Sequence, residues 1–318
     1  MKIVMLERSS LGEDIDLSQF ENLGELVMYD QSTAADTPEK VKDADIIIVN
    51  KIPMNRETLE GAANLKMIAI TATGYNIIDK AYTDSRGIAV ANVGGYSTDS
   101  VAQHTFALAL YLLEQLDYYD KYVKSGEYVK CDIFCHMDRK ISELTGKTWG
   151  IIGLGAIGKR VAQIAQAFGC NIIYYSTSGK NTDSIYESVT LDELLARADV
   201  VSIHAPLNAA TENMMNMDRF RKMKPGAILI NVARGPIVNE RDLVTALNAN
   251  LIAGAGLDVI SAEPMKAGNP LLEIQDSTKL IVTPHIAWAT HEARSRLMDE
   301  VYLNIQAFLH GEKRNLIP

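Results

Sequence analysis

The middle of the chain reads Thr148-Trp149-Gly150-Ile151-Ile152-Gly153-Leu154-Gly155-Ala156-Ile157-Gly158, an apolar run that ends in the pattern G-x-G-x-x-G. A short apolar run bounded by glycines predicts a buried strand, and the apolar spacing in residues 159–168 predicts one face of a helix. Because strand, glycine turn and helix follow one another directly, the stretch predicts a dinucleotide-binding turn rather than an ordinary glycine-rich loop.

Each glycine of this pattern has a separate physical task. Gly153 permits the tight turn, Gly155 leaves room for a pyrophosphate, and Gly158 allows the helix to pack closely on the strand. The first turn of the helix then offers backbone N–H groups to the phosphates. We therefore expect the cofactor to be bound by Gly153, Gly155, Ala156, Ile157 and Gly158.

Composition narrows the class of protein. The chain has 318 residues, of which 47% are hydrophobic and 22% charged, as expected for a soluble globular protein of two domains. A formal net charge of −9 argues against a nucleic-acid partner. No apolar stretch is long enough to span a bilayer, and the N-terminus lacks the features of a signal peptide. Three cysteines fit a reducing compartment, so we expect a cytoplasmic protein without a membrane partner.

Two series of alternating strands and helices divide the sequence. The first predicts a parallel α/β unit without a glycine fingerprint, and the second predicts a doubly wound parallel sheet. Between them, residues 97–126 predict one long helix. The predicted strands of the first series are 2–6, 44–49, 65–70 and 88–93, and those of the second are the fingerprint strand, 171–175, 200–204, 227–232, 252–258 and 279–283.

The position of the fingerprint predicts how the domains are connected. It begins mid-chain, with one α/β unit ahead of it and a helix behind. We therefore predict an α/β protein of two Rossmann-like domains, in which the cofactor domain is inserted into a discontinuous, flavodoxin-like substrate domain. The expected boundaries are 1–98 plus 289–318 for the substrate domain and 99–288 for the cofactor domain, with the active site in the cleft between them.

Three further motifs carry a resemblance to a known family. They are Asn231-Val232-Ala233-Arg234-Gly235-Pro236-Ile237-Val238, Gly256-Leu257-Asp258-Val259 leading to Glu263-Pro264, and Thr283-Pro284-His285-Ile286-Ala287. With the fingerprint, they make the chain resemble the D-isomer-specific 2-hydroxyacid dehydrogenase family nearly end to end. The resemblance implies that Arg234 orients the substrate carboxylate, that His285 is the acid/base, and that Glu263 is the partner of His285.

Reduction of a 2-oxo acid requires the same residue types. A hydride reaches the carbonyl carbon while a proton must reach the oxygen, and imidazolium supplies a proton well near neutral pH. A carboxylate against the other ring nitrogen fixes the tautomer and favours the charged ring. A guanidinium grips a carboxylate with two hydrogen bonds. Taken singly, His285 could be structural, Glu263 a loop residue and Arg234 a ligand of cofactor phosphate. Their joint occurrence at strand ends favours catalysis.

Other residues are assigned to the substrate. Thr73 and Gly74 lie in a segment that resembles the substrate-carboxylate loop of the family, although Gly74 alone could mark an ordinary turn. Lys51 could line the same cleft or be a solvated lysine. Trp288 resembles the tryptophan of the glycerate dehydrogenase (hydroxypyruvate reductase) branch, and its alternative is simple packing.

Further cofactor contacts are also implied by the resemblance. They are His204, Ala205 and Pro206 beside the adenosine and pyrophosphate, Asn231, Val232 and Ala233 beneath the nicotinamide ribose, Asp258 at the carboxamide, and Thr211 at a phosphate. A loop hydroxyl explains Thr211 equally well.

The choice of cofactor depends on the residues after the second Rossmann strand. An NAD enzyme usually places an acid there, on the ribose 2′-hydroxyl, whereas this chain continues from Tyr175 with Ser176, Thr177 and, further on, Lys180. Small hydroxyls and a lysine could receive a 2′-phosphate. We therefore expect an NAD(P) cofactor with NADP(H) favoured over NAD(H), although the usual arginine is absent too.

The leading hypothesis is an oxidoreductase that interconverts a small 2-oxo acid and its D-2-hydroxy acid, with hydroxypyruvate/D-glycerate or glyoxylate/glycolate preferred. The alternatives are an NAD(P)-sensing, corepressor-like regulator on the same fold, and a dehydrogenase for larger aliphatic or aromatic 2-oxo acids. Formate or phosphite oxidation is a third option among enzymes, and formate is disfavoured because the formate branch, which resembles this one, has an amide in place of Glu263. We expect no metal, since Cys131, Cys135 and His136 lack a fourth ligand. A homodimer is expected by resemblance and by base rate.

Overall fold

Two parallel β-sheets organise the chain. In the computed structural model, which describes residues 1–180 and 185–318, one unit is formed by residues 1–97 and 288–318 and the other by residues 98–287. We call them the smaller and the larger unit. The chain therefore passes between the units twice, and the α/β class with two parallel sheets is confirmed.

The smaller unit contains a five-stranded parallel sheet. Its strands are β1 (Lys2–Met5), β2 (Glu25–Met28), β3 (Ile46–Val49), β4 (Met67–Ile70) and β5 (Ala89–Ala91), and its first helices are α1 (Thr37–Val41), α2 (Arg56–Leu59) and α3 (Lys80–Ser85). The strand order β2-β1-β3-β4-β5 is that of flavodoxin-like sheets. β3 and β4 are buried along their whole length, as expected for central strands covered on both faces.

The larger unit contains a seven-stranded sheet in the order β12-β11-β10-β9-β6-β7-β8, and every pair of neighbours is parallel. Its strands are β6 (Thr148–Ile152), β7 (Asn171–Tyr175), β8 (Glu187–Ser188), β9 (Val200–Ile203), β10 (Ile228–Asn231), β11 (Gly254–Leu257) and β12 (Leu280–Val282). Its helices are α4 (Thr98–Leu113), α5 (Leu116–Lys124), α6 (Ala156–Ala167), α7 (Leu191–Arg197), α8 (Met217–Phe220) and α9 (Glu240–Asn248). The order around β6 is that of a doubly wound dinucleotide-binding sheet.

The chain then returns to the smaller unit through α10 (His291–Leu309). The hydroxyl oxygen of Thr290 accepts the backbone N–H of Ala293 and caps this helix. Its apolar face, with Leu297, Val301 and Ile305, is fully buried in the same core as β1 and β3. The last helix therefore contributes one apolar face to the core of the smaller unit.

The structure differs from the sequence prediction in two strands and one helix. β2 and β8 were missed because both are short edge strands without a buried apolar run. The long helix predicted for residues 97–126 is wrong, since α4 and α5 are separated at Gln115, whose φ of 53° is left-handed. No glycine or proline marks this break in the sequence.

Among the residues that the structure describes, no helix combines the length and apolar character needed to cross a membrane.

Candidate active site

The glycine loop, residues 153–158, connects β6 to α6. Gly153 has a φ of 92°, and a Cβ on it would lie 2.9 Å from the carbonyl oxygen of His204. A Cβ on Gly158 would lie 2.3 Å from the carbonyl oxygen of Gly153. Both positions therefore require glycine, the first for the turn and its close neighbour, the second for packing of helix against strand.

Gly155 differs from the other two glycines. A Cβ on it would have no heavy atom of the described residues within 4 Å. This open space lies directly before the first helical residues, Ala156 and Ile157, whose N–H groups have no partner within a helix. The loop therefore fits a dinucleotide phosphate, which needs both a close approach and N–H donors.

His204 follows β9 and touches the same loop. Its Nε2 lies 3.0 Å from the Ser202 hydroxyl oxygen, which in turn accepts the indole N–H of the fully buried Trp149 at 2.8 Å. Burial lowers the pKa of His204 to about 3, so its ring is neutral at physiological pH. Its Nδ1 is buried and has no hydrogen-bond partner in the described part of the chain. Such an orphaned polar atom beside Gly153 fits a site that is completed by a ligand.

The residues after His204 form a closed turn. The Thr211 hydroxyl donates to the Pro206 carbonyl oxygen at 2.7 Å and accepts the N–H of Asn208 at 2.9 Å. Thr211 is only 1% exposed, and Ala205 is also buried. The structure thus gives Thr211 the task of a loop hydroxyl, and its contact with phosphate stays a prediction.

The turn after β10 carries Arg234. The buried amide of Asn231 accepts the N–H of Ala233 and donates to the carbonyl oxygen of Arg234, both at 3.0 Å. Asn231 therefore shapes the turn, with Val232 buried beside it. Arg234 itself is exposed, and its Nη1 donates to the Ala233 carbonyl oxygen at 2.7 Å. Its guanidinium is accessible to an anion.

Glu263 and His285 form the pair that the resemblance implies. The Nδ1 of His285 lies 2.7 Å from Oε2 of Glu263, while Oε1 of Glu263 accepts the N–H of Ile260 at 3.2 Å. Both side chains remain partly exposed, at 26% for His285 and 35% for Glu263. The pair is therefore oriented through one ring nitrogen and accessible from solvent. Nε2, on the opposite edge of the ring, is the atom suited to exchange a proton with a substrate.

Asp258 fixes the loop that carries His285. Its carboxylate, 1% exposed, accepts the Thr283 hydroxyl at 2.6 Å, the N–H of Ile286 at 2.9 Å and the N–H of Ala287 at 2.8 Å. Its carbonyl oxygen accepts the N–H of His285 at 2.8 Å. These contacts hold His285 at a φ of 56°, a left-handed conformation that non-glycine residues rarely adopt. The structure thus shows a loop-fixing use of Asp258, and its predicted contact with the carboxamide stays untested.

His104, on α4, was missed by sequence reasoning. Because the Thr283 hydroxyl hydrogen goes to Asp258, the Thr283 oxygen can accept the Nε2–H of His104, which lies 2.9 Å away. Burial lowers the pKa of His104, although the charge of Asp258 acts in the opposite direction. A neutral donor tautomer fits this arrangement. No sequence pattern pointed to it, since His104 lies far along the chain from the His285 motif.

The loop after β7 contains the residues predicted to choose the cofactor. The N–H of Gly179 donates to the Ser176 carbonyl oxygen at 3.2 Å and closes a turn. Ser176 and Thr177 are half-buried, and Lys180 is exposed. Residues 176–180 contain no acid.

The proposed substrate residues Lys51, Thr73, Gly74 and Trp288 belong to the smaller unit. The Thr73 hydroxyl donates to the Val93 carbonyl oxygen at 2.8 Å, and the backbone N–H of Lys51 donates to the Glu7 carboxylate at 2.9 Å. Trp288 packs edge-on against Tyr96, with ring centroids 6.4 Å apart. Trp288 therefore has a packing role whatever its role toward a substrate.

Cys131 and His136, which the sequence analysis considered as metal ligands, contact tyrosine hydroxyls. Cys131 lies 2.8 Å from the Tyr122 hydroxyl, and Nε2 of His136 lies 2.8 Å from the Tyr118 hydroxyl. Residues 1–180 and 185–318 contain no group of three or more His, Cys, Asp or Glu side chains arranged for a metal ion.

The chain is similar to several known proteins. The family model described as "D-isomer specific 2-hydroxyacid dehydrogenase, NAD binding domain" matches residues 106–287. A hydroxypyruvate reductase of Blautia hydrogenotrophica is 41% identical, covering 100% of this chain and 99% of the relative. A glycerate dehydrogenase of Methylorubrum extorquens is 38% identical, covering 99% and 98%. Among solved structures, a D-lactate dehydrogenase from Aquifex aeolicus complexed with NAD and lactic acid superposes with a TM-score of 0.85 at 29% identity, covering 100% of this chain and 99% of that one.

Proposed function

The chain belongs to the D-isomer specific 2-hydroxyacid dehydrogenase family, and on that premise we propose that it reduces hydroxypyruvate to D-glycerate or glyoxylate to glycolate. It is a nicotinamide-dependent oxidoreductase that acts on 2-oxo acids. The observation that carries the proposal is the 2.7 Å contact between Glu263 and His285, on a loop held by Asp258. The name of the hydroxypyruvate reductase relative supports the choice of a small substrate.

The three polar side chains divide the work of the reaction. The reduced nicotinamide supplies the hydride when the cofactor is bound. His285 gives a proton from Nε2 to the oxygen that becomes the hydroxyl, and Glu263 holds the ring through Nδ1 so that the imidazolium is stabilised before the transfer. Arg234 grips the substrate carboxylate with its planar guanidinium, which fixes the position of the carbonyl carbon.

The substrate is also expected to contact the smaller unit. Thr73 and Gly74 would bind its carboxylate through backbone N–H groups, which is supported by the loop position of these residues after β4. Lys51 and Trp288 complete the proposed set. Replacing Trp288 with Phe should raise KM for hydroxypyruvate if the indole contacts it, and should lower only the Tm if packing against Tyr96 is its sole task.

We assign a preference for NADP(H) to the loop after β7. The support is the absence of an acid between residues 176 and 180 and the presence of Ser176, Thr177 and Lys180. Steady-state kinetics with NADPH and NADH decide the matter, and a tenfold preference in kcat/KM for NADH would overturn the assignment. Ser176→Asp is expected to move the preference toward NADH, because a carboxylate accepts the ribose 2′-hydroxyl and repels a 2′-phosphate.

We further propose a homodimer in the cytoplasm. The segment of residues 116–141 exposes large apolar side chains, among them Val129 and Phe134 at 89% each. Exposed apolar surface of this kind is typical of protein interfaces. The three cysteine thiols are free, as in a reducing compartment. Light scattering should give twice the 35.0 kDa chain mass, and Phe134→Asp should shift that mass toward the monomer.

A panel of 2-oxo acids with both cofactors tests the function itself. We expect oxidation of the reduced cofactor with hydroxypyruvate and glyoxylate, and weaker turnover with phenylpyruvate or 2-oxoisocaproate. The glycerate formed should be the D-enantiomer by chiral chromatography. No consumption of either cofactor with any member of the panel would reject the enzyme in favour of a nucleotide-sensing regulator.

A further inference from the structure

Glu240 is the first residue of α9 and follows shortly after Arg234 in the chain. Although its side chain carries a carboxylate, the residue is only 8% exposed. Oε1 accepts the N–H of Ser261 at 2.6 Å, and Oε2 accepts the side-chain amide of Asn269 at 2.9 Å. Both donors belong to the segment of residues 258–269, which carries Glu263. Glu240 therefore connects the helix after Arg234 to the loop of Glu263.

A second contact at the same place is made by the backbone. A Cβ on Gly235 would lie 2.0 Å from the carbonyl carbon of Ile260 and 2.5 Å from the nitrogen of Ser261. The peptide between Ile260 and Ser261 thus packs directly on the residue next to Arg234. The N–H of Ser261, which belongs to this peptide, donates to Glu240. The N–H of Ile260, one residue earlier, donates to Glu263.

The cost of burying Glu240 argues for a specific purpose. A buried carboxylate loses hydration and is tolerated only when its oxygens receive hydrogen bonds. Here the donors and the first turn of α9 compensate it. Asn269 is equally buried, and its Oδ1 accepts the N–H of Leu271 at 2.8 Å. Both hydrogen bonds of the Glu240 carboxylate therefore hold the segment of residues 258–269.

We propose that Glu240 is a positioning residue, which sets the distance between the Arg234 guanidinium and the Glu263–His285 pair. One 2-oxo acid must place its carboxylate on Arg234 and its carbonyl oxygen at His285 simultaneously. A shift of the 258–263 loop relative to the Arg234 turn breaks that match, because a misplacement of about 1 Å can lower a rate by about 100-fold. The inference rests on the proposed function, since it uses the roles given there to Arg234, Glu263 and His285.

An exchange of hydrogen-bond polarity tests the proposal. Glu240→Gln keeps the shape but makes one of the two atoms a donor, which then faces the N–H of Ser261 or the amide of Asn269. Asn269→Asp alone places two carboxylates together. The double variant E240Q/N269D restores a donor and an acceptor at the shared contact, keeps an acceptor for the N–H groups of Ser261 and Leu271, and leaves the net charge unchanged.

The readouts separate positioning from stability. In E240Q we expect kcat/KM for hydroxypyruvate to fall about 10-fold, mainly through kcat. The Kd of the reduced cofactor should stay within about twofold. The double variant should recover most of the lost kcat.

Glu273→Gln is the matched control. Glu273 is exposed and accepts a hydrogen bond from Arg241, the neighbour of Glu240 on α9, so this change should leave the kinetics unaltered. If E240Q lowers only the Tm, or changes nothing while the unaltered enzyme is active, the positioning role is overturned and the proposed function stands. If the unaltered enzyme reduces no 2-oxo acid, the proposed function fails and takes this inference with it.

Discussion

The glycine loop and the loop that carries His285 follow two strands of the same parallel sheet, but they are built by opposite means. Residues 153–158 obtain their shape from missing side chains, since Gly153 and Gly158 allow close approach and Gly155 leaves space. Residues 283–287 are instead held in their shape by hydrogen bonds to the carboxylate of Asp258, a side chain from outside this loop. A phosphate is recognised by backbone N–H groups, which every residue except proline has, whereas a proton must come from one ring in one orientation. The comparison predicts that binding and chemistry can be damaged separately.

The largest effect should come from His285→Ala. Without its proton donor, the enzyme should lose about 100- to 10,000-fold in kcat, the range of general acid–base catalysis. The glycine loop is untouched, so NAD(P)H titrated by its own fluorescence should bind with nearly the same Kd. As a control, His291→Ala changes an exposed histidine outside the loop and should leave kcat unaltered. An unchanged kcat in His285→Ala would reject the proton donor and the comparison with it.

The next effect separates two positions within the glycine loop. Gly155→Val places a side chain in open space, so the Tm should stay while the Kd for the reduced cofactor rises at least about 10-fold, since the phosphate site is filled. Gly158→Ala should instead lower the Tm, because its Cβ meets the Gly153 carbonyl oxygen at 2.3 Å. Differential scanning fluorimetry and cofactor titration distinguish the two. Equal losses of Tm in both variants would contradict the distinct tasks of the two glycines.

Asp258→Asn tests the other side of the comparison. The amide puts a donor where the carboxylate accepts three hydrogen bonds, so the His285 loop should loosen and kcat should fall about 10-fold. If Asp258 acts only through this loop, the Kd for the cofactor stays unchanged. A Kd that weakens as much as kcat falls would show instead that the residue contacts the carboxamide.

The smallest effect concerns pH. Burial lowers the pKa of His204 from 6.5 to about 3 in the folded chain. As the pH falls, the imidazole of the unfolded chain is therefore protonated before that of the folded chain. The stabilisation is present above pH 6.5 and is lost progressively toward pH 3, by at most about 1.4 kcal/mol for each pH unit. His204→Gln should flatten this dependence in urea unfolding between pH 7 and pH 4.

A free energy of unfolding that falls equally steeply in His204→Gln would mean that other groups control the acid response. Asp14 is one such group. The Arg294 guanidinium lowers the pKa of Asp14 to about 2, so its contribution is lost only between about pH 4 and pH 2. The two windows overlap only between about pH 4 and pH 3, so unfolding measured between pH 7 and pH 4 distinguishes the histidine from this carboxylate.

Sequence reasoning succeeded where a local pattern determines the result. The buried runs of β3, β4 and β6 and the three glycines each express their structure within a few residues. The hydrogen bond between Glu263 and His285 was implied by motifs of a whole family and is present.

The rest depended on contacts between distant segments. His104, Glu240 and the loop-fixing contacts of Asp258 join residues that are far apart in the chain, and no periodicity or spacing predicts which of them meet. The break at Gln115 has the same origin, because a residue of ordinary helix propensity there adopts a left-handed conformation. Edge strands β2 and β8 lack the buried run on which the prediction of strands relied.

The distribution of tryptophan has a practical consequence. The chain has two, and each unit contains one: Trp149 is fully buried in the larger unit, and Trp288 is half-buried beside Tyr96 in the smaller. Indole emission shifts to longer wavelength when water reaches the ring. Trp288→Phe leaves an optical reporter of the larger unit alone, and Trp149→Phe leaves one of the smaller. The loss of structure in each half of the enzyme can therefore be recorded separately, in dilute solution and without an added dye.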